Sequence, residues 1–291
     1  MSTEQGARSA VLNNPWIASL PLLAGFAVLA VPTFATLGQQ VWSEESGAHG
    51  PIILATGGWL LWREVETLKT LGKPGALATT AIVLFLALLL YVFGRAFDFI
   101  SLETVAVYGV GLGMLHALFG LKALMRTWFP LFYLGFLVPP PNWLMDQLTG
   151  PLKQFISNAA TTPLHALGLP ISREGVTIQV GSYQLLVEDA CSGMNSLIGL
   201  SAISLLYIFL LRGSSLRYSL LLTTFVIPIA VVGNIFRVMI LILLTHFYGD
   251  EVAQGFLHFA AGMFLFVIDL LLVFLVDSVL VRILPKSWRP A

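Results

Sequence analysis

The chain has 291 residues, of which 57% are hydrophobic and 10% are charged, and its mean hydropathy is +0.87. Soluble domains carry about 45–50% apolar and about 25% charged residues, so this composition excludes a soluble enzyme and a disordered chain and predicts a polytopic membrane protein. Fifteen basic residues balance fifteen acidic ones, and we therefore predict no nucleic-acid partner. One cysteine excludes an intramolecular disulfide and a multi-cysteine metal site. No cofactor and no metal are predicted.

Eight apolar runs follow a polar start. The first fourteen residues lack the pattern of a cleaved signal peptide, so the first run is predicted to remain as a membrane span. A full crossing needs about 20 apolar residues, and the second and fifth runs fall short of that length. The predicted spans are Trp16–Leu37, Pro51–Trp62, Ala76–Phe97, Val105–Leu124, Thr127–Val138, Cys191–Leu211, Tyr218–Phe247 and Phe256–Val281.

The basic residues favour this arrangement over its alternatives. In the eight-span order, eleven of the fifteen Lys and Arg residues fall at one face of the membrane, as the positive-inside rule expects for the cytoplasmic face. The sequence therefore predicts an inner-membrane protein with both termini in the cytoplasm. The eleven residues are Arg8, Arg63, Lys69, Lys73, Lys122, Arg126, Arg212, Arg217, Arg282, Lys286 and Arg289.

The longest outer segment runs from Pro139 to Ala190. Apolar residues recur at helical spacing from Asn142 to Leu167, which is typical of a helix lying in the membrane interface. Val176–Val180 and Tyr183–Val187 flank a two-residue glycine turn and predict a β-hairpin. The predicted fold is an all-α polytopic membrane domain over residues 1–291, with about eight transmembrane helices and a short amphipathic helix and hairpin before the sixth.

Three residues that can carry chemistry are predicted at the outer membrane face. Cys191 opens the sixth span, where a helix N-terminus favours a thiolate, although a buried cysteine is often only structural. Arg237 lies inside the seventh run, whose 30 residues exceed the length needed to cross the bilayer core; it either serves a site or is structural, paired with Asp269 or capping carbonyls. The topology puts His258, in the first turn of the eighth span, level with Cys191, where it is either a structural residue or part of the site. A thiol, an imidazole and a guanidinium together would suit acyl transfer through a thioester.

Further residues flank these three. Asn234 lies one turn before Arg237 on the same helix face and can orient it. His49 and Trp42 share the first outer loop, where a metal site has no second ligand at metal spacing and a packing or substrate-docking role is favoured. A non-enzymatic channel, carrier or assembly subunit of an export or polysaccharide system is the alternative function.

The order of motifs resembles the exosortase/archaeosortase family of membrane-embedded cysteine transpeptidases. The resemblance extends over about residues 42 to 280, most of the chain. The matching stretches are Trp42–Pro51, Trp59–Arg63, Phe136–Asn142, Pro151–Lys153, Gly168–Gly175, Ala190–Leu197, Asn234–Arg237 and His258 before Gly262.

The resemblance implies a function and a site. It implies Cys191 as the nucleophile, completed by Arg237 and His258, and it places Asn195 where an arginine is common in the family. It implies substrates that are exported proteins ending in a short motif, a transmembrane helix and a basic tail. Cleavage would pass through a thioester, and the released end would go to a lipid-linked or surface-glycan acceptor.

Overall fold

The computed structural model is mostly helical and describes residues 15–43, 47–186, 193–212, 215–249 and 256–285. It divides into two compact units, each with its own packing. The first comprises Met1–Glu44 and Gly50–Pro139, and the second comprises Glu45–His49 and Pro140–Ala291.

The first unit is a bundle of helices. Helix α5 packs on α1 and α4, and their shared core consists of Ala87, Val110 and Met114 with Phe26 and Leu29. A buried hydrogen-bonded cluster joins the same three helices through Thr33, Arg95 and Glu103. The helices are α1 (Pro15–Gln40), α2 (Gly50–Arg63), α3 (Val65–Leu71), α4 (Leu77–Ala96), α5 (Ile100–Arg126) and α6 (Trp128–Leu134), which continues as a 3₁₀ turn over Gly135–Leu137.

Helix α5 has a sharp kink at Gly120, which has φ 70° and ψ 171°. The loop after α3 forms hydrogen bonds with the backbone of α5 at this kink. The Lys73 N–H donates to the Phe119 carbonyl at 3.1 Å, and the Gly75 N–H donates to the His116 carbonyl at 3.1 Å. A side chain at position 120 would run into the Lys73 carbonyl. The positive φ and the close approach together require glycine here.

The second unit combines helices with a small sheet. The strands form an antiparallel sheet in the order β1-β2-β3, with Ile178 opposite Leu185 across the second pair. The predicted hairpin is therefore confirmed as β2 and β3, and β1 is an additional strand that joins β2 through a turn at Gly175, with φ 61°. The elements are α7 (Asn142–Ala166), β1 (Ile171–Glu174), β2 (Thr177–Val180), β3 (Tyr183–Leu186), α8 (Gly193–Arg212), α9 (Leu216–Tyr248) and α10 (Phe256–Ile283).

Each of the eight predicted spans corresponds to a helix. Within the described residues, α1, α4, α5, α9 and α10 contain apolar stretches long enough to cross a membrane, while the stretches in α6 with its 3₁₀ turn and in α8 are shorter. Helix α2 has 14 residues, about 21 Å of helix, against a bilayer core of about 30 Å. The polytopic helical class agrees with the sequence analysis, and the count of eight crossings stays a prediction.

Candidate active site

Helices α8, α9 and α10 pack on one another and form the core of the second unit's membrane-spanning part. Leu200 of α8, Ala230 of α9 and Val273 of α10 belong to one buried cluster. The apolar faces of all three helices meet there because each carries Leu, Ile, Val or Ala at helical spacing. This layer gives a common reference for the depth of the predicted site residues.

The helix register sets the approximate depth of the predicted site. Helices α8 and α9 run antiparallel, and Leu200 shares one buried cluster with Val226 and Ala230. Seven residues further toward this end, about 10 Å along each helix, lie Gly193 on α8 and residues 233 to 237 on α9. Helices α8 and α10 run parallel, since Tyr207 contacts Phe274 and Asp277, and Arg212 contacts Asp277.

The offset between α8 and α10 sets the level of the start of α10. The three contacts separate residues by 65, 67 and 70 positions, which places Gly193 beside residues 258 to 263 in the first two turns of α10. His258 belongs to the first turn. Gly193, Arg237 and the start of α10 thus lie within about 10 Å of one another in depth along the three-helix core.

Arg237 is buried, with 3% of its surface exposed, and Asn234 one turn earlier is buried at 4%. Helix α9 has 33 residues, about 50 Å of helix, which exceeds a bilayer core of about 30 Å. The excess is covered by protein: Val238, Leu241 and Ile242 pack on residues of α7 and the sheet. Arg237 therefore lies where α9 passes from the three-helix core to the cover formed by α7 and β1–β3.

Helix α7 presents one apolar face to this cover. Ile156, Ala160 and Leu164, spaced one turn apart, are buried against the sheet and α9, whereas Trp143 and Phe155 are exposed. The predicted amphipathic helix is present, and the stripe at Ile156 packs on protein. The location of its exposed face in the membrane interface stays a prediction.

Asp269 is the alternative partner for Arg237 that the sequence suggested. Asp269 is 9% exposed, and its carboxylate lies against Gly233 of α9, where a Cβ would overlap it. Within the part of the chain that the structure describes, no ion pair joins Asp269 to Arg237, and Asp269 Oδ1 has no hydrogen-bond partner. The structural ion pair that would explain both charges is therefore not formed there.

A second acidic residue of α10 has many partners. Arg212 donates to Asp277 from Nη2 at 2.8 Å and from Nε at 3.1 Å. The hydroxyls of Tyr207 and Tyr218 also donate to the Asp277 carboxylate, each at 2.7 Å. This group, the Asp277 cluster, joins α8, α9 and α10 at the end of the core away from Gly193.

His49 and Trp42 lie in different surroundings. The His49 ring packs beside Gly199 in α8, where a Cβ would lie 3.5 Å from that of His49 and 3.8 Å from Nδ1. Burial lowers the pKa of the His49 imidazole below its ordinary value, so the ring is neutral at pH 7. Trp42 stacks on Phe34 with 5.9 Å between ring centroids and covers Gly50. His49 thus faces the helix that begins just after Cys191, and Trp42 packs within the first unit.

Three predicted residues are described in part or not at all. Cys191 lies outside the described residues, two positions before α8 begins at Gly193. Asn195 is in the first turn of α8 and His258 is in the first turn of α10, and only their backbone is described. The described part of α8 starts at Gly193 and that of α10 at Phe256, and the positions of the Cys191 thiol and the His258 imidazole stay predictions.

Sequence reasoning missed the Asp277 cluster and the position of His49. One feature of the sequence could have indicated the cluster. Asp269 and Asp277 are eight residues apart on one face of α10, and a buried carboxylate in a membrane helix usually pairs with a cation on a neighbouring helix. The contact between His49 and Gly199 had no signal, since 150 residues of sequence separate them.

The candidate site belongs to a helical, multi-pass membrane protein in which the start of α8, the buried Arg237 and the start of α10 lie near one level of three packed helices. A family model described as transmembrane exosortase matches residues 41–275, which agrees with the extent of the resemblance found in the sequence. The chain belongs to the transmembrane exosortase family. No curated protein and no solved structure matches it.

Proposed function

We propose that this chain is a membrane cysteine transpeptidase or endopeptidase that cleaves the C-terminal sorting signal of exported proteins. The family membership supports the class of enzyme. The observation that supports the proposal most directly is the helix register, in which the start of α8, Arg237 and the first two turns of α10 lie near one level. Cys191 precedes that start by two residues, so thiol, guanidinium and imidazole would be available to one substrate carbonyl.

The proposed reaction has two steps. The Cys191 thiolate attacks the scissile carbonyl, forms a carbon–sulfur bond and expels the amine of the sorting signal, which takes a proton from the His258 imidazolium. An acceptor nucleophile or water then gives its proton to His258 and attacks the thioester, and the carbon–sulfur bond breaks. Arg237 donates N–H groups to the oxyanion in both steps, at a buried position where such bonds are strong.

The proposed partners follow from this chemistry. The substrate ends in a recognition motif, a transmembrane helix and a basic tail, and the acceptor is lipid-linked or a surface glycan. The substrate helix would reach the site laterally through membrane lipid. His49, Trp42, Asn195 and Asn234 are proposed to contact or orient the substrate. The proposal includes no cofactor, no metal and no nucleic acid.

Replacing the nucleophile tests the proposal. Cys191→Ala and Cys191→Ser should abolish processing of a cognate tailed substrate while membrane levels stay normal, because the thiol forms the thioester. The measurement is the ratio of cleaved to full-length substrate against the amount of protein in the membrane. A carrier or assembly subunit would tolerate either change, so normal processing by Cys191→Ala excludes the enzyme.

Orientation is tested separately. The site is proposed to face the periplasm at the outer leaflet of the inner membrane, with both termini in the cytoplasm. Topology reporters fused at Gly72 and Ala291 should then give a cytoplasmic signal, and one at Gly181, in the turn between β2 and β3, should give a periplasmic signal. A cytoplasmic signal at Gly181 would place the site away from exported substrates and is incompatible with the proposal.

A further inference from the structure

The first unit contains a half-open apolar cavity of about 410 Å³ between α1, α2, α5 and α6. Its walls are almost entirely carbon, with side chains such as Phe26, Leu54, Val107 and Leu115. An apolar cavity of about 150 Å³ can hold a benzene molecule and stays dry, so this larger cavity is suited to a long apolar ligand.

The few hydroxyls that line the cavity are already used by the protein. Thr104 donates to the Ile100 carbonyl at 2.7 Å, and Tyr108 donates to the Leu131 carbonyl at 2.7 Å. Thr33 lies 2.9 Å from the Leu29 carbonyl and 2.6 Å from Glu103 Oε1. Because these groups have partners, nothing in the wall selects a polar ligand.

The shape of the cavity suits a chain-like ligand. It is lined along α5 from Thr104 to Leu118, about 21 Å at 1.5 Å per residue. A long and apolar cavity of this kind can take up an extended acyl chain along its length.

A cation lies at one end of the cavity. Thr33 and Thr104 line that end, and Thr33 and Arg95 both contact Glu103, the latter through Nη1 at 3.2 Å. The Arg95 side chain is 49% exposed. Within the described residues, the hydrogen bonds that Arg95 donates all come from Nη1. The N–H groups on Nη2 and Nε can therefore bind a phosphate, an anion whose geometry matches that of a guanidinium.

We propose that this cavity is a binding site for one phospholipid, with an acyl chain between α1, α2 and α5 and the phosphate on Arg95. The apolar wall favours hydrocarbon, the elongated shape favours an extended acyl chain, and the half-exposed guanidinium favours an anionic headgroup. The site is independent of the chemistry proposed for Cys191.

Glycines in and near the cavity provide the test. Gly58 of α2 lines the cavity and has no heavy atom within 4 Å of an added Cβ, so Gly58→Phe fills the cavity. Gly111→Leu fills it from α5, where a Cβ would make an ordinary 3.6 Å contact with Phe26. Gly25→Phe is the matched control, because an added Cβ there also meets nothing and the residue does not line the cavity.

The measurement is the number of phospholipids that the purified full-length chain retains, by native mass spectrometry, after exchange into detergent and addition of phosphatidylglycerol or phosphatidylcholine. The unmodified chain and Gly25→Phe should retain one phosphatidylglycerol, and both filling variants should lose it. The double variant Arg95→Gln with Glu103→Gln keeps the three helices joined by hydrogen bonds without charge. It should bind phosphatidylglycerol about tenfold more weakly and no longer distinguish it from phosphatidylcholine.

Other outcomes overturn the proposal. Unchanged lipid retention in either filling variant, at normal membrane level and elution volume, would mean that the cavity does not hold the chain. Equal loss in Gly25→Phe would mean that the lipid is bound elsewhere. Unchanged retention combined with lost processing or lost self-association in Gly58→Phe would assign the cavity to a protein helix instead.

Discussion

Two carboxylates on one face of α10 have opposite surroundings. Asp277 accepts hydrogen bonds from Arg212, Tyr207 and Tyr218, and the cluster ties three helices together. Asp269, two turns earlier on the same helix, is nearly as buried, yet its Oδ1 has no hydrogen-bond partner in the described part of the chain. At one end of the three-helix core, the buried charge of Asp277 stabilises the packing of the helices. At the other end, Asp269 and Arg237 form no ion pair with each other within the described residues.

The difference shows where function is to be sought in a membrane protein. A buried charge is costly in a low-dielectric interior and is retained either for packing or for chemistry. At the Asp277 cluster the partners account for the charge. Near Arg237, the expected ion pair with Asp269 is not found within the described residues. Helices α8 and α10 begin near the same level.

The largest effect on processing, after loss of the thiol, is expected at His258. His258→Ala should lower the processing rate by about 10²–10⁴-fold, because a proton carrier is removed from both steps. Membrane level should stay near normal, since one imidazole in the first turn of α10 is a small part of the packing. The rate is measured as substrate cleaved per enzyme in the membrane. Full activity of His258→Ala would remove this residue from the site.

Arg237→Lys should lower the processing rate by about 10²–10³-fold, the usual cost of losing one oxyanion donor. Lysine keeps the charge but lacks the planar fork of N–H groups, so the protein should remain folded. The control is the double variant Arg237→Met with Asp269→Leu, which removes both charges. If the two formed a structural pair, the double variant would recover abundance and processing; we expect it to remain inactive.

Asp277→Asn should affect stability more than turnover. It leaves the Arg212 guanidinium without its counter-charge and should lower the free energy of unfolding by about 3 kcal/mol, at the lower end for a broken buried pair because Arg212 is 29% exposed. Thermal unfolding in detergent measures the loss. Processing per folded molecule should stay within about threefold, since Arg212 is about 28 Å along α8 from Gly193.

Asp269→Asn is the matched control on the same helix face. Neutralising a buried carboxylate removes its desolvation cost, so this variant should be as stable as the unmodified chain or more so. If Asp277→Asn and Asp269→Asn lowered the free energy of unfolding equally, the different surroundings of the two carboxylates would have no effect on stability.

Much of the helical framework could be predicted from the sequence. Apolar runs specify α1, α4, α5, α9 and α10 because burial in lipid or protein requires continuous apolar surface. The hairpin at Gly181 was predictable because turn chemistry is local. Strand β1 was missed, although the glycine at position 175 with φ 61° marked the turn that joins it to β2.

The sequence predicts the membrane face of the candidate site but not its packing. Counting residues from span ends predicts Cys191, Arg237 and His258 at one face, because helical rise is constant. Cys191 lies outside the described residues, so this placement stays a prediction. The cover over Val238 and Ile242 could not be foreseen, because it depends on tertiary contacts of α9 with α7 and the sheet. The Arg212–Asp277 pair was hidden for the same reason, since 65 residues separate its members.

The cover over α9 also bears on biosynthesis. Helix α7 and strands β1–β3 precede α9 in the chain, so they are synthesised first and are present when the C-terminal end of α9 emerges. Residues 216–236 of α9, about 32 Å long, can insert as an uninterrupted apolar segment and leave Arg237 at its margin. The insertion penalty of about 2.5–3.5 kcal/mol for an arginine at a helix centre is thereby largely avoided. Arg237 can thus pass through the insertion machinery at the edge of an apolar segment rather than at its centre.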